Sequence, residues 1–419
     1  MQSAATATNK PALKDSPQRW GLMVLLVLAM VACYAHRNAL SIAVPFLKKE
    51  MNLSTAQLGV MLSAFSWFYA FLQMPSGWLV DRYGVRKVYG FGYLLWSVAT
   101  MFTGFAKNFV ALIVLRVSTG TFQAVAFPAT SRAVADWFQD RERGTVTAMY
   151  LTGVRIGTAL ISWFGGWFLA RYDVRLFFLV TGMIPLVWLL PWSMFLRKWE
   201  APQTERAKQQ NISLLESLKW LRHRSVLGIF LGFFAYDYAW FVYISWLPGY
   251  LALERKFTPQ EMGIYSAMPY LAMSVIILAS GTLSDWLVRR GWNEIKVRKS
   301  FIMLGLLIGC LVVPAGFVED KMTAVWLLTI ALCGIGIASP NTWTLTQAVC
   351  EKRVVGTVSG IQNWGGNVGG IIAPALTGVI AQYSSFAVAL CVVGGVLVAG
   401  ILAYWLLVDE KFEVPQTNH

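Results

Sequence analysis

Twelve stretches of this chain are apolar over about twenty residues or more, long enough to cross the hydrocarbon core of a bilayer as a helix. They run approximately over 20–47, 55–80, 86–106, 109–135, 143–170, 174–196, 225–251, 260–288, 299–318, 322–349, 354–382 and 385–408. Each is expected to be helical, because an isolated strand leaves its backbone groups unpaired in hydrocarbon. Charged residues make up only 13% of the chain and the mean hydropathy is +0.55, whereas soluble domains carry about 25% charged residues. Lipid is therefore the expected solvent. A net charge of +14 would serve nucleic acid only on a water-facing domain, and no segment is long enough to form one. Cys33, Cys310, Cys333, Cys350 and Cys391 lack metal or redox spacing and read as small fillers of apolar helices.

The longest polar interruption, 197–224, divides the spans into two sets of six. The expected organisation is a disordered tail over 1–19, which lacks the apolar core of a signal peptide, a six-helix bundle over 20–196, a linker over 197–224, a second bundle over 225–408, and a tail over 409–419. With both termini in the cytoplasm, 23 of the 35 Lys and Arg fall on the cytoplasmic side, eight on the other and four within spans. That excess is the positive-inside pattern. The two sets repeat. Asp81 follows the second span as Asp285 follows the eighth, 204 residues on. An offset of 212 pairs Gly144-Thr145-Val146 with Gly356-Thr357-Val358, Gly153 with Gly365, Gly157 with Gly369 and Pro128 with Pro340. Two similar halves are the signature of an alternating-access transporter whose site lies between them near the midplane. The fold expected is thus an all-α membrane protein of twelve transmembrane helices in two pseudo-symmetric six-helix bundles.

Arg37 lies about two thirds of the way along the first span with no flanking acid. A charge there costs about 2.5–3.5 kcal/mol on insertion scales and marks a substrate or ion path, or a partner. Tyr34, Arg37 and Ser41 share a helix face at i, i+3 and i+7. The guanidinium fork suits a carboxylate or sulfonate and stays charged when desolvated; an arginine that merely locks helices by pairing with an acid is the alternative. Asp237 is a carboxylate deep within the seventh span. Aligning Pro45 with Pro248 sets Asp237 opposite Tyr34, and Trp240 opposite Arg37.

Gly77-Trp-Leu-Val-Asp81-Arg82-Tyr-Gly-Val-Arg86-Lys87, Arg116 with Gly120, and Asp140-Arg-Glu-Arg-Gly144 resemble the signature motifs of the major facilitator superfamily. Within it, Tyr34-Ala-x-Arg37-x-x-Leu-Ser41-Ile-Ala, Phe127-Pro-Ala with Arg132, and Trp246-Leu-Pro-x-Tyr250 resemble the anion:cation symporters, the bacterial galactonate and hexuronate carriers above all. The resemblance covers residues 20–408. It implies the major facilitator fold, and proton-driven import of a small organic anion across the cytoplasmic (inner) membrane of a bacterium. A sugar acid leads. A sulfonate, a tartrate-like acid or an aromatic dicarboxylate, moved by Na⁺ symport, exchange or uniport, is the alternative. A non-transporting membrane sensor or an intramembrane enzyme is the rival of another class. A sensor usually carries a signalling tail, and an enzyme needs a clustered nucleophile and base; neither is seen. There is no phosphate loop and no metal cluster, so no cofactor, metal site or nucleic-acid partner is expected, and a monomer is.

The resemblance also implies that the fourth span lines the cavity, with Arg116 as a second anion contact or a support for a neighbouring helix end, and Gln123 beside it. Arg155, and Asn363, Trp364 and Asn367 on the eleventh span, are candidate substrate contacts; so are Tyr69, spaced helically from Ser66 and Gln73, and Trp240. Proton-coupled sugar-acid carriers place an acid before the first-span arginine and a glutamate where Gln123 stands. Here His36 and Gln123 replace them. Asp237 and His36 are then the candidate proton carriers. A substrate anion competing for Arg37 would release Asp237 to take a proton, whereas His36 can titrate or remain a neutral hydrogen-bonding residue. Asp81, Arg82, Arg86, Lys87, Asp285 and Arg289 are expected to form a cytoplasmic gate that holds the halves closed.

Overall fold

The computed structural model describes residues 17–138, 140–199, 219–350 and 355–408. Nearly all of the tail at 1–19, most of the linker at 197–224 and the tail at 409–419 lie outside the described residues, as does the side chain of Asp81. Every span is helical. In chain order they are α1 (Gln18–Glu50), α2 (Thr55–Tyr83), α3 (Val85–Thr103), α4 (Phe109–Gln123, resuming as Ala126–Trp137), α5 (Asp140–Leu169) and α6 (Val174–Met183, a 3-10 segment Ile184–Trp188, then Leu189–Trp199). The second bundle holds α7 (Arg224–Leu253), α8 (Pro259–Arg289), α9 (Glu294–Gly309 and the turn Val312–Ala315), α10 (Lys321–Val349), α11 (Val355–Tyr383) and α12 (Phe386–Leu407). Ten of these are long and apolar enough to cross a membrane. The other two are α3, which opens on Arg86 and Lys87, and α5, which carries Arg155 mid-length.

A proline stands at each broken helix, although Pro45, Pro75, Pro248, Pro269, Pro340 and Pro374 lie inside helices that continue. Proline has no N–H to give the carbonyl four residues back. Pro128 leaves Ala124 without that bond where α4 breaks, Pro185 does the same to Thr181 in α6, and Pro314 to Cys310 in α9. The Thr181 carbonyl so freed accepts from a side chain of α1 and decides the fate of His36 below.

The repeat read from sequence is a repeat of packing. A Cβ at Gly153 on α5 would lie 2.9 Å from the Val27 carbonyl oxygen of α1, and one at Gly365 on α11 would lie 2.8 Å from that of Phe230 on α7. One turn on, Gly157 meets Val31 and Gly369 meets Phe234. Gly77 faces Pro128 as Gly281 faces Pro340. Each pair maps onto its partner by the offsets found in the sequence, so α1 with α5 and α7 with α11 are the same glycine-mediated crossing, made twice. Small residues let backbones meet this closely in lipid, where packing replaces the hydrophobic drive.

The same symmetry closes the bundle at the end away from the termini. There α2 crosses α11 with a Gly59 Cβ position 2.9 Å from Gly378 Cα, and α8 crosses α5 with a Gly263 position 2.8 Å from Gly166 Cα. The backbone N–H of Thr55 also donates to Gln382 Oε1 at 2.9 Å across the lobes. Gly166→Val is expected to wedge this end open by about 1–3 kcal/mol, roughly a 5- to 160-fold rise in the open population. A cysteine placed at buried Ser266, in a background without other cysteines, should then react faster with a membrane-impermeant thiol reagent. An unchanged rate would mean that the glycine contact is not what seals this end.

Candidate functional site

Arg37 sits at the centre of the interface between the lobes and is 5% exposed. Its guanidinium carbon lies 4.3 Å from the ring centre of Phe65, 4.8 Å from Tyr69, 5.3 Å from Tyr34 and 5.2 Å from Phe241, the last on α7 of the other lobe. Nη1 reaches the Tyr34 hydroxyl only at 3.4 Å, beyond the usual N–H···O range, and Nη2 has no hydrogen-bond partner. The ion pairs found join Arg19 to Glu142, Arg132 to Asp136, and Arg298 to Asp285 and Glu294. Among the described residues no carboxylate lies within ion-pairing distance of Arg37. Aromatic faces recover about 0.5–2 kcal/mol each when a cation is desolvated. They grip the face of the fork and leave N–H donors for a planar anion.

Two of these rings escaped the sequence reading. Phe65 is held by α4, where Gly120 lets the helix close onto the Phe65 carbonyl within the reach of any side chain. Phe241 has room because a Cβ at Gly370 on α11 would lie 2.6 Å from its ring. Only the fold reveals either pairing, since each partner is more than fifty residues away.

Arg116 and Gln123 brace α1. Arg116 Nη2 donates to the Arg37 carbonyl at 2.9 Å, and Gln123 Nε2 donates to the Cys33 carbonyl, one turn earlier, at 3.2 Å. Of the two roles open to Arg116, the geometry matches the support of a neighbouring helix. Gln123 supplies a permanent N–H donor at its position. A carboxylic acid there would donate only while protonated.

His36 is turned away from Arg37. It is 1% exposed, and its Nε2 donates at 2.9 Å to the Thr181 carbonyl, the one that Pro185 leaves unbonded in α6. The side chain therefore completes α6 and stands apart from the cluster around Arg37. Trp364 is also elsewhere: it is 38% exposed and rests on Phe230, 5.6 Å between ring centres. Successive side chains on a helix point about 100° apart, so adjacency to Arg37 and Asn363 carried neither residue to the site. Asn363 Nδ2 donates to Gln73 Oε1 at 2.8 Å, joining α11 to α2 across the lobes, while Asn367 Nδ2 donates back to the Asn363 carbonyl at 2.8 Å. Ser41 is buried on the Arg37 face.

Asp237 lies across the interface on α7. It is half-buried, and among the described residues it has neither a hydrogen bond nor an ion pair. Its carboxylate fills the gap that Gly366 leaves in α11, so that any larger residue at 366 would strike Oδ2. Arg37 and Arg155 both lie within its electrostatic reach. The Arg155 guanidinium is stacked 4.0 Å over the Trp240 ring, one turn along α7, and Trp240 meets Tyr270 edge-on.

At the termini end Asp285, Arg82 and Arg86 make their described contacts within their own lobes. Asp285 bonds within its own lobe, to Arg298 Nη2 at 2.6 Å, and Arg298 Nη1 donates to Ser284 Oγ at 2.7 Å and Asn341 Oδ1 at 3.4 Å. This ties α8, α9 and α10 together and does not hold one half against the other. Arg298 was missed; Glu294, four residues before it on α9, was the available hint. Arg82 lies against Trp78 and Tyr83 on its own helix, the Arg86 carbonyl accepts from Trp192 Nε1 at 3.1 Å, and Lys87 and Arg289 are exposed.

Comparison with known proteins completes the assignment. The model of the Major Facilitator Superfamily matches residues 26–374 and 298–419. The chain belongs to the major facilitator superfamily. This is a family of membrane transporters, not of enzymes. The D-galactonate transporter of Escherichia coli is 33% identical over 95% of this chain and 97% of its own length. The probable galactarate/D-glucarate transporter of Escherichia coli is 28% identical over 94% of this chain and 95% of that one. Among solved structures, a bacterial homologue of the human lysosomal transporter Spinster superposes with a TM-score of 0.80 at 18% identity, covering 95% of this chain and 99% of that one. That likeness is one of fold.

Proposed function

We propose that this major facilitator chain imports a small organic anion, a sugar acid or similar carboxylate, by proton symport, with the two lobes rocking about a site centred on Arg37. One observation carries the reading: a guanidinium buried between the lobes, surrounded by aromatic faces, with a donor unspent and no carboxylate paired to it among the described residues. A fixed cation so placed is tolerated when a mobile anion visits it. The galactonate and galactarate carriers among its relatives support the chemical class. Both lobes and the whole site come from one chain, so a monomer suffices. The Lys and Arg count supports termini in the cytoplasm of a bacterial inner membrane.

Coupling is assigned to Asp237. It faces Arg37 without pairing to it, so an anion that takes up the guanidinium charge leaves the carboxylate free to bind a proton. The loaded transporter then carries both across. Uptake of labelled anions into proteoliposomes, with and without an inward proton gradient, tests this. Gradient-driven accumulation of a sugar acid is expected; no movement of any sugar acid, sulfonate or tartrate would end it. His36→Gln provides an internal control. The glutamine amide can still donate to the Thr181 carbonyl, so proton-driven uptake should stay within about 3-fold of wild type, as for a conservative replacement worth well under 1.4 kcal/mol. Complete loss of gradient-driven uptake with exchange preserved would move the proton site to His36.

A further inference from the structure

Arg155 has no part in the coupling just described, yet it stands at the same interface as Arg37, half-buried where Arg37 is buried. It comes from the first lobe and rests face-on against an aromatic of α7, Trp240, while Arg37 rests against the next residue, Phe241. Among the described residues no carboxylate pairs with either. Trp240 meets Tyr270 edge-on and lies one turn from Asp237 on α7, so Arg155 reaches from the first lobe to the helix that also carries Phe241 against Arg37. Stacking holds the plane of a guanidinium and leaves its N–H edge for a second partner.

The charges at the interface do not balance. Among the described residues, Arg37, Arg116 and Arg155 stand at the interface with one carboxylate, Asp237, an excess of two positive charges. Arg116 is committed to a backbone carbonyl, which leaves two stacked forks free to take an anion. A monoanion on Arg37 would leave one fork unanswered in a region that screens charge poorly. A ligand with two anionic groups answers both.

We infer that Arg155 is a second anion contact and that the preferred substrate is a dicarboxylate, bound between Arg37 on α1 and Arg155 on α5. The inference rests on Arg37 as the first contact. In the empty protein the two rings of α7 hold the two forks; the ligand draws both forks toward itself and so releases one lobe from the other.

The test uses matched pairs that differ by one carboxylate: galactonate against galactarate, and benzoate against phthalate. Counterflow is measured in proteoliposomes with wild type, Arg155→Gln and Arg155→Lys. Wild type is expected to favour the dianion in KM by about 10-fold or more, the size of one charge-assisted contact. Arg155→Gln should remove that preference by raising KM for the dianion alone, and Arg155→Lys should restore part of it. Equal increases for both members of a pair would make Arg155 a structural residue and overturn the inference. So would efficient transport of the monoanion with no preference for the dianion, although that result would leave the reading of Arg37 intact. If wild type moves neither member of either pair, the inference falls, and the reading of Arg37 falls with it when no other sugar acid, sulfonate or tartrate moves.

Discussion

Arg37→Lys is expected to reduce sugar-acid counterflow by about 30-fold or more, although the charge is kept. Removing a partner from a desolvated, hydrogen-bonded charge pair costs about 2–5 kcal/mol. Lysine retains the charge but replaces a planar fork by a point donor, so it cannot hold a carboxylate through two parallel bonds or spread a planar cation over Phe65 and Tyr69. Arg37→Gln should fall further, to background. The protein should still fold, because Arg37 makes no ion pair that its removal would break, and loss of an unpaired buried cation relieves a desolvation cost. The contrast to look for is unchanged thermal stability with abolished flux. Preserved flux in either variant would mean that the anion passes elsewhere.

The second large effect concerns Asp237. Asparagine is nearly isosteric, fits the gap beside Gly366, and does not titrate. Asp237→Asn is therefore expected to exchange labelled for unlabelled substrate at a rate close to wild type. It should fail to concentrate substrate when the outside is made acidic, with accumulation falling to the equilibrium level. The sign follows from the cycle: the wild-type carboxylate must load a proton outside with the anion and release it inside, while the amide presents the neutral state throughout. Exchange then needs no proton and accumulation has no driving force. If pH-driven accumulation persists in Asp237→Asn, the proton travels by another group.

The fold was largely legible because its signals are long. Runs such as 225–251 are apolar apart from a single charged residue, Asp237, and α7 covers Arg224–Leu253. The doubled motif was also readable, since Gly153 and Gly365 serve the same crossing in each lobe. The breaks in α4, α6 and α9 were not predicted, although Pro128, Pro185 and Pro314 mark them; bilayer length dominated the reading and the helix was run through the proline. Within the site, Tyr34 and Arg37 converge because helical spacing on α1 places them, and Tyr69 joins them from α2. Phe65, Phe241 and Arg298 were invisible because each depends on which helix packs against which. His36 misled for a specific reason: its neighbour in sequence is the site arginine, while its partner in space is a carbonyl freed by a proline 149 residues later.

The account turns on one event, the meeting of a substrate anion with the unpaired guanidinium between the lobes. Calorimetric titration of the purified protein with galactonate and galactarate, in parallel with Arg37→Gln, measures that event without requiring transport or a proton gradient. Wild type should bind at least one of the two anions, and Arg37→Gln, melting at the same temperature, should give no binding heat for either. Binding of equal affinity in Arg37→Gln would contradict the account.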